Sequence, residues 1–350
     1  MKNVISQTSL IVFISLLVFS CKPHSEQESN NAQETNGIKE SVKLQELPNF
    51  IALKELSLYP EGIVYSDVTK KTYVGSYYKG KIITVDLDGN IIDFITDESL
   101  VAVVGLAIDK KNNRLLICNS DAGISLRSDK STTGQLAEII AYDLTTGEKL
   151  KTINLGSLYP GGHFLNDLVQ DTNGNTYVTD SFSPVIYKID TNDNASVLVS
   201  DTQFEVPQGA FGLNGIVYHN DGYLIVGRAF GGKLYKIDLN GPKNVQEITL
   251  DKSVNSLDGL LLTDNNTLAL VSNYFAGPIF DEAVYKIKTS NNWASGNVTS
   301  AFTALEGTYP TTLTEVNNEV FVNFGYFTEL VNPNSAPNNS FKLQKVKFSN

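Results

Sequence analysis

The chain has 350 residues, 41% of them hydrophobic, 10% aromatic and 19% charged, enough for one large globular domain or two small ones. Its formal net charge of −11 lacks the basic footprint that nucleic-acid binding requires, and that class is excluded. Two cysteines, Cys21 and Cys118, rule out a disulfide framework, so the fold must rest on its core.

The first residues read as a targeting segment. Lys2 gives a positive start, and the apolar run Leu10 to Phe19 is too short for a spanning helix, which needs about 20 residues. It stops at Val18-Phe19-Ser20-Cys21, which resembles a bacterial lipobox. Residues 1–20 are then a lipoprotein signal peptide, with Cys21 the lipidated first residue of the mature chain. Residues 21–48 are polar and free of aromatics, as expected of a flexible tether. The expected location is the bacterial cell envelope, periplasmic or outer-membrane, with the membrane touched only through the lipid.

Residues 49–350 repeat. "EGIVYSDVTKKTYVGSYYKGKIITVDLDGNIIDFI" from Glu61, "NDLVQDTNGNTYVTDSFSPVIYKIDTNDNASVLV" from Asn166 and "NGIVYHNDGYLIVGRAFGGKLYKIDLNGPKNVQEITL" from Asn214 each contain four short apolar runs separated by polar turns. Fainter copies begin at Val104, Asp258 and Thr311. The pattern predicts an all-β fold, a six-bladed β-propeller of four-stranded antiparallel blades. The last copy supplies three strands. The unassigned run "NFIALKELSL" predicts an N-terminal strand that closes the ring and removes an open edge.

First-to-second turns are short in every copy. Second-to-third loops such as "DAGISLRSDKSTTGQLA", "YFAGPIFDE" and "GYFTELVNPNSAPNNS" are long and share a face with the blade connections. Long loops on one end of a rigid scaffold are where function usually sits. Their aromatics, among them Tyr159, Phe164, Phe204, Phe211, Tyr274, Phe275, Phe280, Tyr326 and Phe327, are expected to pack the loops, with some walling a pocket over the channel mouth.

The aligned first positions are Glu61, Val104, Asn166, Asn214, Asp258 and Thr311. Each starts an innermost strand, so all six converge at the channel mouth. Asn214-Gly215 and Asp258-Gly259 also read as turn dipeptides, but the hairpin turns are accounted for elsewhere. Two ionised carboxylates about 5 Å apart would repel by about 3 kcal/mol, so one holds a proton or a cation lies between them. Two carboxylates with two amide oxygens form a hard donor set that suits one divalent cation, Ca²⁺ ahead of Mg²⁺ or Mn²⁺.

At these residues the chain resembles the gluconolactonase and senescence-marker-protein group of six-bladed propellers, with paraoxonases and diisopropyl-fluorophosphatase more distant. The resemblance runs over all six copies through "YPEGIVY", "FLNDLVQD", "LNGIVYH", "LDGLLL" and "YVTDSF". It implies that Glu61, Asn166, Asn214 and Asp258 hold a calcium-type ion and that Asp258 is general base or nucleophile. Three departures are visible. Phe164 stands where gluconolactonases of this type carry Arg, and Gly62 stands where paraoxonases carry an acid for a second calcium. No counterpart of the paraoxonase histidine lies near Val104.

The resulting expectation is a metal-dependent hydrolase (lactonase or esterase) acting on a small-molecule lactone or ester, with His163 and Phe164 beside the substrate and His163 able to assist proton transfer. The alternative is a membrane-tethered, non-catalytic propeller that binds a ligand at the same mouth. A weaker third reading is a metal-free relative of the strictosidine-synthase-type propellers, which should lack the oxygen set this chain keeps.

Overall fold

Short strands rich in Val, Ile, Leu and Tyr, separated by Asp-, Asn- and Gly-bearing turns, can bury themselves only by stacking sheet on sheet. The computed structural model describes residues 46–273, 282–304 and 307–349. Cys21, the signal and tether up to residue 45, and Tyr274, Phe275 and Phe280 lie outside the described residues. Among the described residues, no helix is long and apolar enough to cross a membrane.

Strand β1 (Phe50–Leu53) precedes the first meander: β2 (Pro60–Ser66), β3 (Lys71–Ser76), β4 (Lys81–Val85) and β5 (Ile91–Ile95). The second is β6 (Ala102–Asp109), β7 (Arg114–Ser120), β8 (Ala137–Asp143) and β9 (Lys149–Asn154). The third is β10 (Leu165–Gln170), β11 (Thr176–Asp180), β12 (Val185–Ile189) and β13 (Ala195–Ser200). Next come β14 (Leu213–His219), β15 (Tyr223–Arg228), β16 (Lys233–Asp238) and β17 (Val245–Leu250). They are followed by β18 (Leu257–Asp264), β19 (Thr267–Ser272), β20 (Ala283–Lys288) and β21 (Ser295–Thr303). The last three are β22 (Pro310–Val316), β23 (Glu319–Phe324) and β24 (Phe341–Lys345).

The molecule is an all-β propeller. The repeat predicts six separate blades, and here the structure differs: four sheets have four strands and the fifth has eight, in the order β14-β15-β16-β17-β21-β20-β19-β18. The cause is local. Strand β21 begins early, and Ser295-Gly296 pair in parallel with Thr249-Leu250 at the edge of β17. Asp251 extends this seam, its amide donating to the Gly296 carbonyl and its carboxylate accepting from the Val298 amide. Strand β1 pairs antiparallel with β24, Ile51 opposite Leu343, so an N-terminal strand completes the sheet of the C-terminal ones.

The core lies between neighbouring meanders. Ile63, Leu106, Leu168, Ile216, Leu260 and Leu313 hold equivalent places on the innermost strands, and each is buried in a different hydrophobic cluster. Each such side chain stabilises the stack by about 1.5–3 kcal/mol. The long β7–β8 loop is tied down by Asp121, whose carboxylate accepts from the Gly123 amide and the Ser128, Thr132 and Thr133 hydroxyls. Residues 47–350 make up a single unit around the channel that these inner strands line.

Candidate metal and hydrolytic site

All six inner strands carry a register shift at the same place, for example between Pro60 and Ile63, Leu165 and Leu168, and Leu257 and Leu260. Such bulges re-aim side chains. Here they fall on Glu61-Gly62, Asn166-Asp167, Asn214-Gly215, Asp258-Gly259 and their equivalents. The glycines are there because the strands almost touch. A Cβ on Gly62 would lie 2.0 Å from the Val104 carbonyl oxygen, and one on Gly215 would lie 2.4 Å from that of Asp258. The Asn-Gly and Asp-Gly pairs therefore serve close approach of strands, and no hairpin.

Glu61, Asn166, Asn214 and Asp258 all line one channel of about 330 Å³. They are 8%, 5%, 7% and 8% exposed, so whatever charge they carry is largely removed from bulk water. Asp167 lines the same channel one residue beyond Asn166. Burial drives the Glu61 carboxyl well above the ordinary carboxylate range, and the negative Asp258 and Asp167 add to it. Burial likewise pushes Asp258 up to about 8, against hydrogen bonds from Asn273 and Asn214 that favour its charged form. Asp167 rises to about 6 through burial, held back by the Leu168 and Ile216 amides. No Lys, Arg or His is among the described residues lining the channel.

The amides are aimed. Asn166 Nδ2 donates to Ser181 Oγ at 3.0 Å, which turns its nitrogen to the wall. Asn214 Oδ1 is buried and has no hydrogen-bond partner among the described residues. An orphaned acceptor of this kind costs about 1–3 kcal/mol, and beside carboxylates lacking a counter-charge it fits a bound cation. Among the described residues no three His, Cys, Asp or Glu side chains are grouped to hold a metal. The four-residue set has only two carboxylates, its other donors being amide oxygens, as hard cations accept.

A supporting layer escaped the sequence reading. Asn273 Nδ2 donates to Asp258 Oδ2 and to the Pro310 carbonyl. Ser181 does the equivalent in its own meander, accepting from Asn166 and donating to the Leu213 carbonyl at 2.6 Å. Asn323 joins Thr311 Oγ1 to the Pro60 and Glu61 carbonyls. Asn273 and Ser181 directly follow the second strand of their meanders, and Asn323 stands one residue before the end of its own. The recurring Ser or Asn after "VTD", "LVS" and "FV" was the available signal.

No family model and no curated protein matches the chain. Solved structures do. An allergen of Malassezia sympodialis, Mala s 1, superimposes with a TM-score of 0.68 at 16% identity, over 86% of this chain and 97% of its own. A gluconolactonase from Xanthomonas campestris gives 0.58 at 11% identity over 86% and 91%. A calcium-binding protein, regucalcin, from Agrobacterium tumefaciens gives 0.56 at 15% identity over 86% and 95%. The chain has the fold of the gluconolactonase and senescence-marker-protein propellers.

On that fold the loop side of the ring is packed with aromatics. Tyr309, Phe327, Tyr77, Phe164, Phe182 and Phe211 contact one another in sequence, with centroids 5.1–6.4 Å apart. Tyr77 and Tyr309 stand close enough to Glu61 for its charge to help raise their phenols, after burial. Phe164 is buried in this cluster. His163, expected beside the substrate, is buried with Nδ1 2.7 Å from Asp180 Oδ2, and Asp180 also accepts from the Phe164 amide and the Tyr187 hydroxyl. The bond to Asp180 raises its pKa. The described contacts of His163 thus hold the blade connection in place.

Proposed function

We propose that the chain is a calcium-type metal-dependent hydrolase of a lactone or ester, working at the inner ring of a propeller whose eight-stranded sheet counts as two blades of six. The observation that carries this reading is Asn214 Oδ1, buried and without a hydrogen-bond partner among the described residues, in the channel that the Glu61 and Asp258 carboxylates line. Glu61, Asn166, Asn214 and Asp258 would hold the cation. When bound, it supplies Lewis-acid polarisation of a carbonyl and compensation of oxyanion charge.

The residues do the rest. Glu61 and Asp258 give up their protons as the site fills. Asn273 fixes the Asp258 carboxyl, and Asp258 is the group able to accept a proton from water or to attack the carbonyl itself. Asn166, turned by Ser181, presents its oxygen inward. Calcium-binding and gluconolactonase neighbours support this at the level of fold. The aromatic packing around Phe164 disfavours a polyhydroxylated sugar lactone.

The lipid anchor at Cys21, the envelope location and a role for His163 in proton transfer belong to the same proposal. The test is hydrolysis of a panel of lactones and aryl esters by the full chain with calcium or with chelator, beside Asp258→Asn. Turnover that needs calcium and is lost in the variant supports a hydrolase. Ligand binding without turnover across the panel favours a tethered binding propeller.

A further inference from the structure

The channel is more than the floor of the ring. Two residues past the ring positions stand Ile63, Leu106, Leu168, Ile216, Leu260 and Leu313, all of which line it. One residue further, the lining is Val64, Ala107, Val169, Val217 and Leu261, with Thr314 at the sixth place. Gln170 is its other polar side chain away from the carboxylate end, and Thr312 lies at that end, beside Gly259. The volume of about 330 Å³ falls within the range of small-molecule sites, which are mostly apolar walls with a few polar groups at one end. An inner strand covers about 13 Å from the ring to this level's far side, at about 3.3 Å per residue. A volume of about 330 Å³ spread over that length corresponds to a cross-section of about 25 Å².

We infer that this channel is an alkyl-chain subsite: it takes a single unbranched hydrocarbon chain whose neutral carbonyl head lies at the oxygen ring. The placing of the head rests on the proposed cation site, whereas the chain subsite rests on the aliphatic side chains that share the lining with the backbone of the inner strands. The head is neutral because no Lys, Arg or His is among the described residues lining the channel to pair with an anion such as a fatty acid carboxylate. A flat sugar or a free amino acid would leave the aliphatic walls uncovered.

Straight-chain 2-alkanones are the probe, since they have the carbonyl head and cannot be hydrolysed. Their affinity for the full chain is measured by calorimetry as the chain lengthens, with and without calcium. Each added methylene should tighten binding about fourfold, the equivalent of about 0.8 kcal/mol, until the channel is full. Val169→Phe and Ala107→Phe should abolish that dependence while a thermal melt shows the fold retained. A wild-type affinity independent of chain length overturns the inference without recourse to any variant. So does a length dependence that persists in both variants. A length dependence that survives when calcium fails to bind supports the chain subsite and counts against the hydrolase reading, so the two fail separately.

Discussion

Raising the pH of the chelated protein should destabilise it, and the size follows from one carboxyl. Asp258 in the folded state holds its proton to about 8, against 3.8 for an ordinary aspartate. Between those values the folded state binds a proton that the unfolded state has lost. Its contribution is therefore complete at low pH and disappears as pH rises through the folded value, at about 1.4 kcal/mol per pH unit. From pH 5 to pH 8 the loss from Asp258 alone is about 4 kcal/mol. Glu61 and Asp167 shift the same way, and Asp167 completes its part by about pH 6. For a domain of this size about 4 kcal/mol corresponds to a fall in Tm on the order of 10 °C. The assay is a thermal melt in EDTA at pH 5, 6, 7 and 8, repeated with saturating calcium. Calcium should abolish the fall, because a bound cation favours the ionised carboxylates. A chelated Tm that is flat or rising over this range refutes the burial of uncompensated carboxylates in the channel.

Other consequences can be checked one residue at a time. Asn273→Ala removes the bond to Asp258 and should weaken calcium affinity by about 10–100-fold, as loss of a group that orients a ligand does, measurable by calorimetry. Gly62→Ala would force a Cβ to within 2.0 Å of the Val104 carbonyl, and should cost several kcal/mol in a denaturant titration. An alanine at Gly156, whose Cβ would approach no atom closer than 3.5 Å, is the control for steric crowding. His163 has its pKa raised by Asp180, so its contribution to stability is complete below about 6.5 and is lost as pH rises through the folded value. His163→Gln should remove that part of the pH dependence, seen as a difference between the two proteins' melts.

The ring was readable because of what a propeller demands. Every copy must begin an innermost strand at the same place, so aligning the copies superimposed Glu61, Asn166, Asn214 and Asp258 without any knowledge of their contacts. The closing strand was readable because an apolar run had no other partner and an unpaired edge is costly. The fusion of β17 with β21 was not. It rests on two residue pairs at strand edges, Thr249–Ser295 and Leu250–Gly296, which no apolar pattern records. Asn273 was missed because one Asn after a strand resembles any turn residue until its neighbour across the bulge is known. The partner of His163 was hidden in a similar way. No apolar pattern or turn signal records that Asp180, the last residue of β11, reaches back 17 residues to its Nδ1.

The central claim is the cation. Calcium should be titrated calorimetrically into the chelated full chain at pH 7, beside Glu61→Gln and Asp258→Asn. The account predicts one ion per chain, proton release on binding as the raised carboxyls ionise, and loss of binding in both variants. Absence of binding to the wild type, or unchanged binding in both variants, would contradict it.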